Sequence, residues 1–373
     1  MRSSAEQRQF QARVIKEVRS GRAVSRRSLA IELGLSPTTA GQYVDYLMAE
    51  NMLRETGLDQ GALGRPKRVL SVCGEFGWYA GLEFNAERVQ AVRVDFAGQR
   101  TVAVERRLPP GSDAASVMAV LMEMVETLDI SGGGPLLGIG MGVPGVVDMT
   151  TGQGVDYAYL RDWKNVPLTA PMEDRFGVLV TIDNNMRVIA LAERWFGGGR
   201  DLDDYVILGP RSGFGVAVVS DGVLLRGAHL AAGEAGRWPW PGQAGDSRVN
   251  DELSAPGVWR RLTGSGPAEA LPENLSDALA VHAEDDGPAW KEVVTAYARL
   301  LGYLQALLDT RMFFLHGPLK ALGERFTTAV LAGMTAQLPE LNTSLPQFQA
   351  SILADDAGAL GAASHAMEMW LPD

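Results

Sequence analysis

The sequence predicts an α/β protein that begins with a winged helix-turn-helix, and three observations support this prediction. A short basic segment with helix-turn-helix spacing occupies residues 1–72. From Trp78 onward, apolar strand-like runs alternate with amphipathic helical runs, which is the pattern of α/β construction. The chain has 373 residues, which favours two or three domains, and its 43 glycines suit many tight turns.

Three helices with helix-turn-helix spacing are predicted at the N-terminus. Apolar residues recur at helical spacing over residues 7–20, and a shorter helix over 26–33 follows Ser25, a suitable N-cap. After a three-residue turn that contains glycine, Ser36 caps a third helix with Pro37 at its first position, where proline is favoured. This order of helix, short turn and helix is typical of DNA-binding domains.

Polar residues of the third helix and of a following hairpin are candidates for DNA contact. Thr and Gln side chains bind phosphates or base edges in a major groove. A strand over 52–56, a loop over 57–64 and a return strand over 65–70 predict a wing, whose cations would reach the DNA backbone or the minor groove. The predicted DNA-binding residues are Ser36, Thr38, Thr39, Gln42, Arg65, Lys67 and Arg68.

The charge of the chain is unevenly distributed. The formal net charge is −11, yet residues 1–72 contain twelve Lys and Arg against seven Asp and Glu. A basic head on an acidic body indicates that the head alone meets a polyanion. We therefore expect residues 1–72 to bind double-stranded operator DNA. Helix-turn-helix spacing leaves one alternative open, a small three-helix module for protein interaction.

The composition of the chain favours some classes of protein and excludes others. Charged residues make up 21% of the chain, as in soluble globular proteins. The longest apolar runs are interrupted by charge or glycine, so no membrane span is expected, and the N-terminal residues lack the apolar core of a signal peptide. Cys73 is the single cysteine, which excludes an internal disulfide and a multi-cysteine zinc site. We expect a cytoplasmic protein.

Strands and helices alternate through the rest of the chain. Two strands over 79–84 and 88–95 precede an amphipathic helix over 114–128. An apolar run over 136–145 reads as a buried strand that ends in a Gly-Pro loop. Further strands are predicted over 178–183, 205–209, 216–220 and 312–315, with helices over 186–196 and 296–308.

Several motifs of the body resemble the ROK family (repressor, open reading frame, kinase) in their order and spacing. They are Gly138–Asp148, Asp162–Leu168, Ala190–Glu193, Ser220–Gly222, Ala232–Gly236 and His316–Leu319. The resemblance covers nearly the whole chain and is greatest to the family's transcriptional regulators, which carry a winged helix. It implies a two-lobed, actin-like and hexokinase-like ATPase fold around a cleft, with lobes at 73–190 and 191–373.

One departure from the family's kinases concerns the catalytic base. The kinases use the Asp of an Asn-Asp pair at the end of a strand, and the pair here aligns as Asn184-Asn185. An amide has no useful basicity, so Asn185 can hydrogen-bond a hydroxyl group but cannot deprotonate it. Asp183 is an alternative base, although it lies two residues earlier and its side chain takes another direction.

The cofactor sites of the family are also altered. The first phosphate-facing turn reads Glu83–Glu87, and Glu87 would repel a triphosphate. The second, over 209–215, keeps its glycines but lacks the usual Thr-Gly arrangement. The family's zinc-binding His is Arg237 here, and no cysteine occurs over 238–246, where aromatic and proline residues are expected to replace zinc by packing. We expect no cofactor and no metal.

Positions that face the sugar in the family are retained in part. By resemblance, the two asparagines would exchange hydrogen bonds with hydroxyl groups and Glu234 would accept one. Arg237 replaces a His and adds a permanent cation, which raises an acidic or phosphorylated sugar as an alternative ligand. A second family carboxylate aligns best with Asn250, and the adjacent Asp251 and Glu252 are the alternatives. The expected ligand-binding residues are Asn184, Asn185, Glu234, Arg237 and Asn250.

These features together predict a sugar-responsive transcriptional regulator, expected to repress genes of carbohydrate metabolism. Operator DNA and a sugar or sugar-phosphate effector are the expected partners, and the effector would bind in the kinase-like cleft without turnover. The resemblance implies a homo-oligomer, a dimer or a tetramer, in which two heads would read two half-sites. Two alternatives remain: an active ATP-dependent sugar kinase with a DNA-binding head, and a DNA-binding or scaffold protein that senses no ligand.

Overall fold

The structure, a computed structural model, describes residues 4–59, 67–129, 133–242, 245–338 and 345–372. The chain divides into two compact units. Unit 1 comprises Met1–Val188 and Gly358–Asp373, and unit 2 comprises Ile189–Ala357. Each unit contains one five-stranded sheet. None of the helices in the described ranges has the length and apolar content needed to span a bilayer.

Unit 1 begins with three helices and a two-stranded hairpin, which we call the head. Its elements are α1 (Ser4–Arg19), α2 (Arg26–Glu32), α3 (Pro37–Ala49), β1 (Leu53–Asp59) and β2 (Lys67–Val72). The side-chain oxygens of Ser25 and Ser36 cap α2 and α3, as the sequence predicts. Leu29, Val44 and Leu47 are fully buried and form the centre of a small core.

The hairpin of the head extends further than the sequence predicts. A loop was expected from residue 57, but β1 continues to Asp59. Gly57 adopts a positive φ of 61° and accommodates an irregularity in the pairing between Thr56 and Leu58, so the strand resumes beyond it. The rest of the predicted loop and Arg65 lie outside the described residues.

The body of unit 1 is a five-stranded sheet in the order β10-β6-β3-β4-β5. Its strands are β3 (Trp78–Phe84), β4 (Arg88–Asp95), β5 (Arg100–Arg107), β6 (Leu136–Val143) and β10 (Leu179–Asn184). Strands β3, β6 and β10 are parallel neighbours, so their carboxyl ends share one edge. A smaller sheet contains β7 (Val146–Asp148), β8 (Gln153–Asp156) and β9 (Lys164–Pro167), and the helices are α4 (Ala114–Leu128), α5 (Thr169–Phe176) and α6 (Asn185–Phe196).

Unit 2 contains a second sheet in the order β13-β12-β11-β16-β17. Its strands are β11 (Tyr205–Pro210), β12 (Phe214–Ser220), β13 (Val223–Leu224), β16 (Met312–Leu315) and β17 (Gln347–Ala350), with a separate hairpin of β14 (Pro239–Gly242) and β15 (Gly245–Arg248). The helices are α7 (Val249–Leu253), α8 (Ala255–Thr263), α9 (Leu275–Ala280), α10 (Pro288–Leu308) and α11 (Gly323–Gln337). Tyr297, Phe313 and Phe326 are fully buried in its core.

The last helix, α12 (Ala357–Met369), returns the chain to unit 1. A Cβ atom at Gly81 of β3 would collide with the carbonyl oxygen of Ala359, and one at Gly140 of β6 would collide with that of Ala362. Only glycine allows two backbones to approach so closely. The helix therefore belongs to the core of the first sheet.

The division into units differs from the lobes expected at 73–190 and 191–373. The residues after Ala357 pack with unit 1 because α12 lies directly on its sheet. The head clusters with the same unit, and the change of unit falls between Val188 and Ile189, inside α6.

Candidate functional site

Asn184 and Asn185 lie at the junction of β10 and α6 in unit 1. The Asn184 side-chain oxygen accepts a hydrogen bond from the N–H of Met186 (2.9 Å), and its Nδ2 donates to the carbonyl oxygen of Gly145 (3.0 Å). The Asn184 amide therefore ties the Gly-Pro loop after β6 to the first turn of α6.

Asn185 keeps its hydrogen-bonding capacity for a ligand. Its side chain is half-buried and makes no hydrogen bond within the described ranges. The Asn184 amide is therefore already hydrogen-bonded to the backbone, whereas the Asn185 amide is hydrogen-bonded to no described residue. An amide both donates and accepts, which suits neighbouring hydroxyl groups of a sugar.

Asp183, the alternative base, is fully buried at the end of β10. Its Oδ1 lies 3.0 Å from Nη1 of Arg187, whose exposed fraction is 3%, and it also accepts the N–H of Asn184 (2.8 Å). A general base must reach the proton that it removes, and a carboxylate held inside a buried ion pair does not. The geometry gives Asp183 a structural role.

The first phosphate-facing turn is closed by its own side chain. Oδ1 of Asn85 accepts hydrogen bonds from the N–H groups of Glu87 (2.8 Å) and Arg88 (2.9 Å). Phosphate-binding turns work by offering free backbone N–H groups to the anion. The two N–H groups are used within the turn, and the exposed Glu87 carboxylate adds repulsion.

The second phosphate-facing turn joins β11 to β12 in unit 2. The N–H of Arg211 donates to the carbonyl oxygen of Gly213 (2.7 Å), and the N–H of Phe214 donates to Oδ1 of Asn250 (3.0 Å). Asn250, predicted to bind ligand, thus supports this turn with its oxygen. Its Nδ2 group keeps its donor capacity for a further hydrogen bond.

Glu234 and Arg237 form an ion pair at the surface of unit 2. The carboxylate Oε2 lies 2.8 Å from Nε of Arg237, and the two side chains are 36% and 62% exposed. The N–H of Val216 in β12 donates to the carbonyl of Gly233 (3.1 Å), which fixes the backbone before the pair. An exposed pair contributes little free energy, so a polar ligand group can replace one partner.

The β14–β15 hairpin is held by an indole. Trp240 is 5% exposed, its ring lies 6.3 Å from that of Tyr303, and the Arg299 guanidinium lies 5.9 Å from its centre. In the part of the chain that the structure describes, no group of three His, Cys, Asp or Glu is placed to hold a metal ion. Apolar packing of Trp240 thus anchors the hairpin.

Residues of α3 present a polar surface in the head. Ser36, Thr38 and Gln42 are exposed, and Thr38 and Gln42 stand one helical turn apart. Thr39 is half-buried, and its hydroxyl lies 2.9 Å from that of Ser36 at the helix cap. Thr38 and Gln42 are therefore the better placed of the predicted helix residues to reach DNA.

The β1–β2 hairpin is linked to α2 through Glu55. Its carboxylate accepts hydrogen bonds from Arg68 (2.7 Å) and Arg26 (2.9 Å), and these two arginines lower the pKa of the Glu55 carboxyl. Arg68 is 72% exposed but already has this partner. Lys67 is the first residue of β2; its side chain, like Arg65, lies outside the described residues.

Sequence reasoning missed Arg27 as a candidate for phosphate contact. Arg26 faces inward, toward Glu55 and Asp45, whereas Arg27 is exposed and forms no ion pair with any described residue. Two adjacent arginines at the start of a helix must point about 100° apart. This pattern was available in the sequence as a signal that one of them faces solvent.

The two sheets, with the strand–helix junction at Asn185, define a sugar-kinase-like body. Residues 79–369 match the ROK family. Because this match covers well over half of the chain, the protein belongs to the ROK family.

Curated relatives include both repressors and kinases. The chain is 28% identical to the xylose repressor of Caldicellulosiruptor bescii over 226 residues, which is 60% of this chain and 56% of the relative. It is 25% identical to the xylose repressor of Bacillus subtilis, over 60% of this chain and 58% of the relative. The chain thus spans just over half the length of these repressors. It is also 28% identical to the glucokinase of Thermotoga maritima, over 66% of this chain and 84% of the relative.

Solved structures share the fold at low sequence identity. A ROK family transcriptional regulator, described as a homologue of the E. coli MLC protein, matches with a TM-score of 0.79 and 19% identity over 97% of this chain and 96% of its own. A ROK family glucokinase from Streptomyces griseus, in complex with glucose and AMPPNP, matches with a TM-score of 0.62 and 22% identity over 78% of this chain and 99% of its own. The body therefore has the α/β sugar-kinase-like fold.

Proposed function

We propose that this protein is a DNA-binding transcriptional regulator, a repressor of carbohydrate metabolism, whose kinase-like body binds a sugar effector without phosphorylating it. One combination of features carries the proposal. A basic head with helix-turn-helix order precedes a body in which an amide, Asn185, begins α6 and aligns, by resemblance, with the catalytic base of the family's kinases. Asp183, the nearest alternative, is committed to Arg187.

The head supports the DNA-binding part of the proposal. We assign it as a winged helix, with α3 as the recognition helix and the β1–β2 hairpin as the wing. Thr38 and Gln42 would contact base edges, and Arg27, Arg65 and Lys67 would contact phosphates. Reading two half-sites requires two heads, so the functional form would be a dimer or a tetramer.

Three local arrangements support the loss of kinase activity. Asn185 cannot take the proton from an attacking hydroxyl group. Asn85 occupies the N–H groups of the first phosphate-facing turn, and Asn250 occupies an N–H group of the second. Phosphoryl transfer depends on positioning and electrostatic stabilisation of the phosphates, and both would be weakened here.

The effector is proposed to be an aldose such as D-xylose, the sugar in the names of the repressor relatives. Asn185 retains an amide that would exchange hydrogen bonds with hydroxyl groups, and Glu234 retains a carboxylate that would accept one. An acidic or phosphorylated sugar is the alternative, since it would take the Arg237 guanidinium from Glu234.

The proposal is tested by operator binding in the presence of sugars. Operator sequences would be selected from genomic fragments with the purified chain, and affinity for a labelled duplex measured by fluorescence anisotropy. We expect D-xylose, or another sugar of a panel that includes sugar phosphates, to change this affinity while no ADP forms from ATP. No affinity for any duplex would reject the DNA-binding part, and no response to the panel would favour the regulator that senses no sugar.

An active sugar kinase is the second candidate, because the glucokinase of Thermotoga maritima aligns over 84% of its own length. A coupled assay of ADP release with the same panel separates the two candidates. Sugar-dependent ADP formation would establish the kinase.

A further inference from the structure

The head meets the body of unit 1 at Phe96, the residue after β4. The carbonyl oxygen of Phe96 accepts a hydrogen bond from Nε of Arg19, the last residue of α1 (2.9 Å). The N–H of Phe96 donates to the carbonyl oxygen of Gly77, in the segment that connects the head to β3 (2.9 Å). The backbone of Phe96 thus hydrogen-bonds both to α1, through Arg19, and to the connecting segment, through Gly77.

The Arg19 guanidinium packs against two buried aromatic rings at this junction. Its Cζ lies 4.8 Å from the centre of the Phe96 ring and 6.0 Å from that of Tyr79, and both rings are fully buried. A guanidinium over an aromatic face interacts more strongly when it is removed from water. Burial raises the pKa of the Tyr79 hydroxyl to about 12, against the opposing effect of the Arg19 cation.

The C-terminal end of α12 reaches the same junction. The Trp370 ring lies 5.2 Å from the Phe96 ring in an edge-on arrangement. One helical turn before Arg19, Nζ of Lys16 lies 3.4 Å from Oε1 of Glu368. Helix α1 therefore contacts α12 directly, by an ion pair, and indirectly, through the ring of Phe96.

The opposite end of α12 lies where the chain leaves unit 2. Its first residue is Ala357, the last residue of that unit. Gly358 packs against the buried Glu83 side chain at the end of β3, and the next turns lie on the backbones of Gly81 and Gly140. A helix seated on backbone atoms has no flexible side chains to absorb a displacement, so it moves as a rigid element.

We propose that Arg19 is the positioning residue that sets the orientation of the head on the body, and that α12 makes this orientation depend on the state of unit 2. The inference rests on the proposed function, in which a ligand of the body changes DNA binding. Sugar binding would alter the α12 end at Phe96 and Glu368, and α1 would follow through Arg19 and Lys16. Coupling between a sugar site and a DNA-binding surface needs an element that has two arrangements. Ligand binding at either site must then shift the equilibrium between these arrangements.

The first experiment measures the head directly, without DNA or sugar. Spin labels at Glu32→Cys in the head and Ala119→Cys in the body, in a full-length Cys73→Ser background, report the distance between α2 and α4 by double electron–electron resonance. Glu32 and Ala119 are exposed and lie outside the junction, whereas Cys73 is half-buried in the connecting segment and is replaced by the similarly sized serine in every protein compared. We expect one narrow distance distribution, and a distribution about twice as wide in Arg19→Ala and Arg19→Lys, because lysine lacks the planar, stacking guanidinium.

Arg8→Ala is the matched control, since Arg8 is an exposed cation of the same helix. It removes the same charge and should leave the distribution narrow. If Arg19→Ala fails to fold, as judged by its thermal melt, Arg19→Lys and Glu368→Gln carry the test. Distributions in these variants as narrow as in the unsubstituted chain would overturn the assignment of Arg19.

The second experiment measures coupling, with D-xylose and D-glucose as probes and a selected operator duplex. In Arg19→Lys, the sugar-induced change in operator affinity should shrink to a third or less, while the thermal shift produced by the sugar stays the same. An undiminished change would overturn the coupling role. Absence of any sugar effect in the unsubstituted chain, with these two probes and with the whole panel that includes sugar phosphates, would instead reject the proposed function, and the distance measurement would still decide the role of Arg19.

Discussion

Asp183 and Arg187 form a buried ion pair across the junction of β10 and α6, with 3.0 Å between Oδ1 and Nη1. The pair stands beside Asn185, where we expect the family's kinases to carry their catalytic carboxylate. A carboxylate is thus present near the site, but it stabilises the start of α6 instead of facing a substrate.

Breaking this pair should destabilise unit 1 strongly. Asp183→Asn keeps the shape of the side chain but removes the negative charge that faces the buried Arg187 cation, which costs about 3–5 kcal/mol. Urea unfolding at neutral pH, monitored by circular dichroism, measures the loss. Arg237→Met breaks the exposed pair with Glu234 and should cost less than about 1 kcal/mol. Equal losses in the two variants would contradict the structural role of Asp183.

Restoring a carboxylate at the catalytic position should not restore a kinase. In Asn185→Asp the base is present, but the N–H groups of Glu87 and Phe214 remain bonded to Asn85 and Asn250. We expect no sugar-dependent ADP release above that of the unsubstituted chain in a coupled assay. Turnover in this single variant would show that the phosphate-facing turns still hold ATP.

The wing and α2 should contribute to the salt dependence of DNA binding. Arg65→Ala, Lys67→Ala and Arg27→Ala should each weaken binding and reduce the slope of log affinity against log salt by about 1. Anisotropy titrations at several salt concentrations give the slope. Arg161→Ala, which removes an exposed cation of the body, is the control. An unchanged slope in a head variant would remove that residue from the interface.

His316 should make the stability of unit 2 fall in mild acid. Burial first, and then the charges of Arg211 and Lys320, lower the pKa of His316 from 6.5 to about 3. Between these two pKa values, the His316 imidazole is therefore protonated in the unfolded chain and neutral in the folded chain. The free energy of unfolding that this difference contributes is complete above pH 6.5 and is lost as the pH falls toward 3. The loss is about 2 kcal/mol at pH 5.

Two histidine variants isolate this effect. His316→Gln removes the titrating group, so its loss of unfolding free energy between pH 7 and pH 5 should be smaller than that of the unsubstituted chain. His229 is exposed, and His229→Gln is the matched control substitution at a second histidine. If all three proteins lose the same free energy, His316 is not held neutral by the fold.

Packing, not a metal ion, should hold the β14–β15 hairpin. Trp240→Ala removes a buried indole and should destabilise unit 2 by about 3–5 kcal/mol. Dialysis against EDTA should leave the melting temperature of the unsubstituted chain unchanged. A drop in the melting temperature after chelation, reversed by zinc, would contradict this account.

Much of the local structure follows from the sequence. The caps at Ser25 and Ser36 were predictable because a cap depends on residues three positions apart. The alternation of strands and helices was also visible, although α10 begins at Pro288, two turns before the predicted start at residue 296. Buried Trp290, Val293 and Tyr297 continue the apolar face through those turns, so the signal was present.

The contacts that decide the site were not predictable from spacing. Asn184 bonds to Gly145, 39 positions away, and Asn250 bonds to Phe214, 36 positions away. The last helix was expected in the second lobe, over 191–373, yet its alanines pack on Gly81 and Gly140. Such pairings depend on the topology of the sheets, which one sequence does not specify.

The most direct test of the central claim is one titration that reports DNA binding and catalysis together. A labelled operator duplex is titrated with the full chain in the presence of Mg-ATP, with and without D-xylose or the panel sugar that gives the largest thermal shift, and ADP is measured in the same samples. A sugar-responsive, catalytically inactive regulator predicts that the sugar changes operator affinity while ADP stays at background. Sugar-dependent ADP formation, with or without a change in operator affinity, would contradict the account.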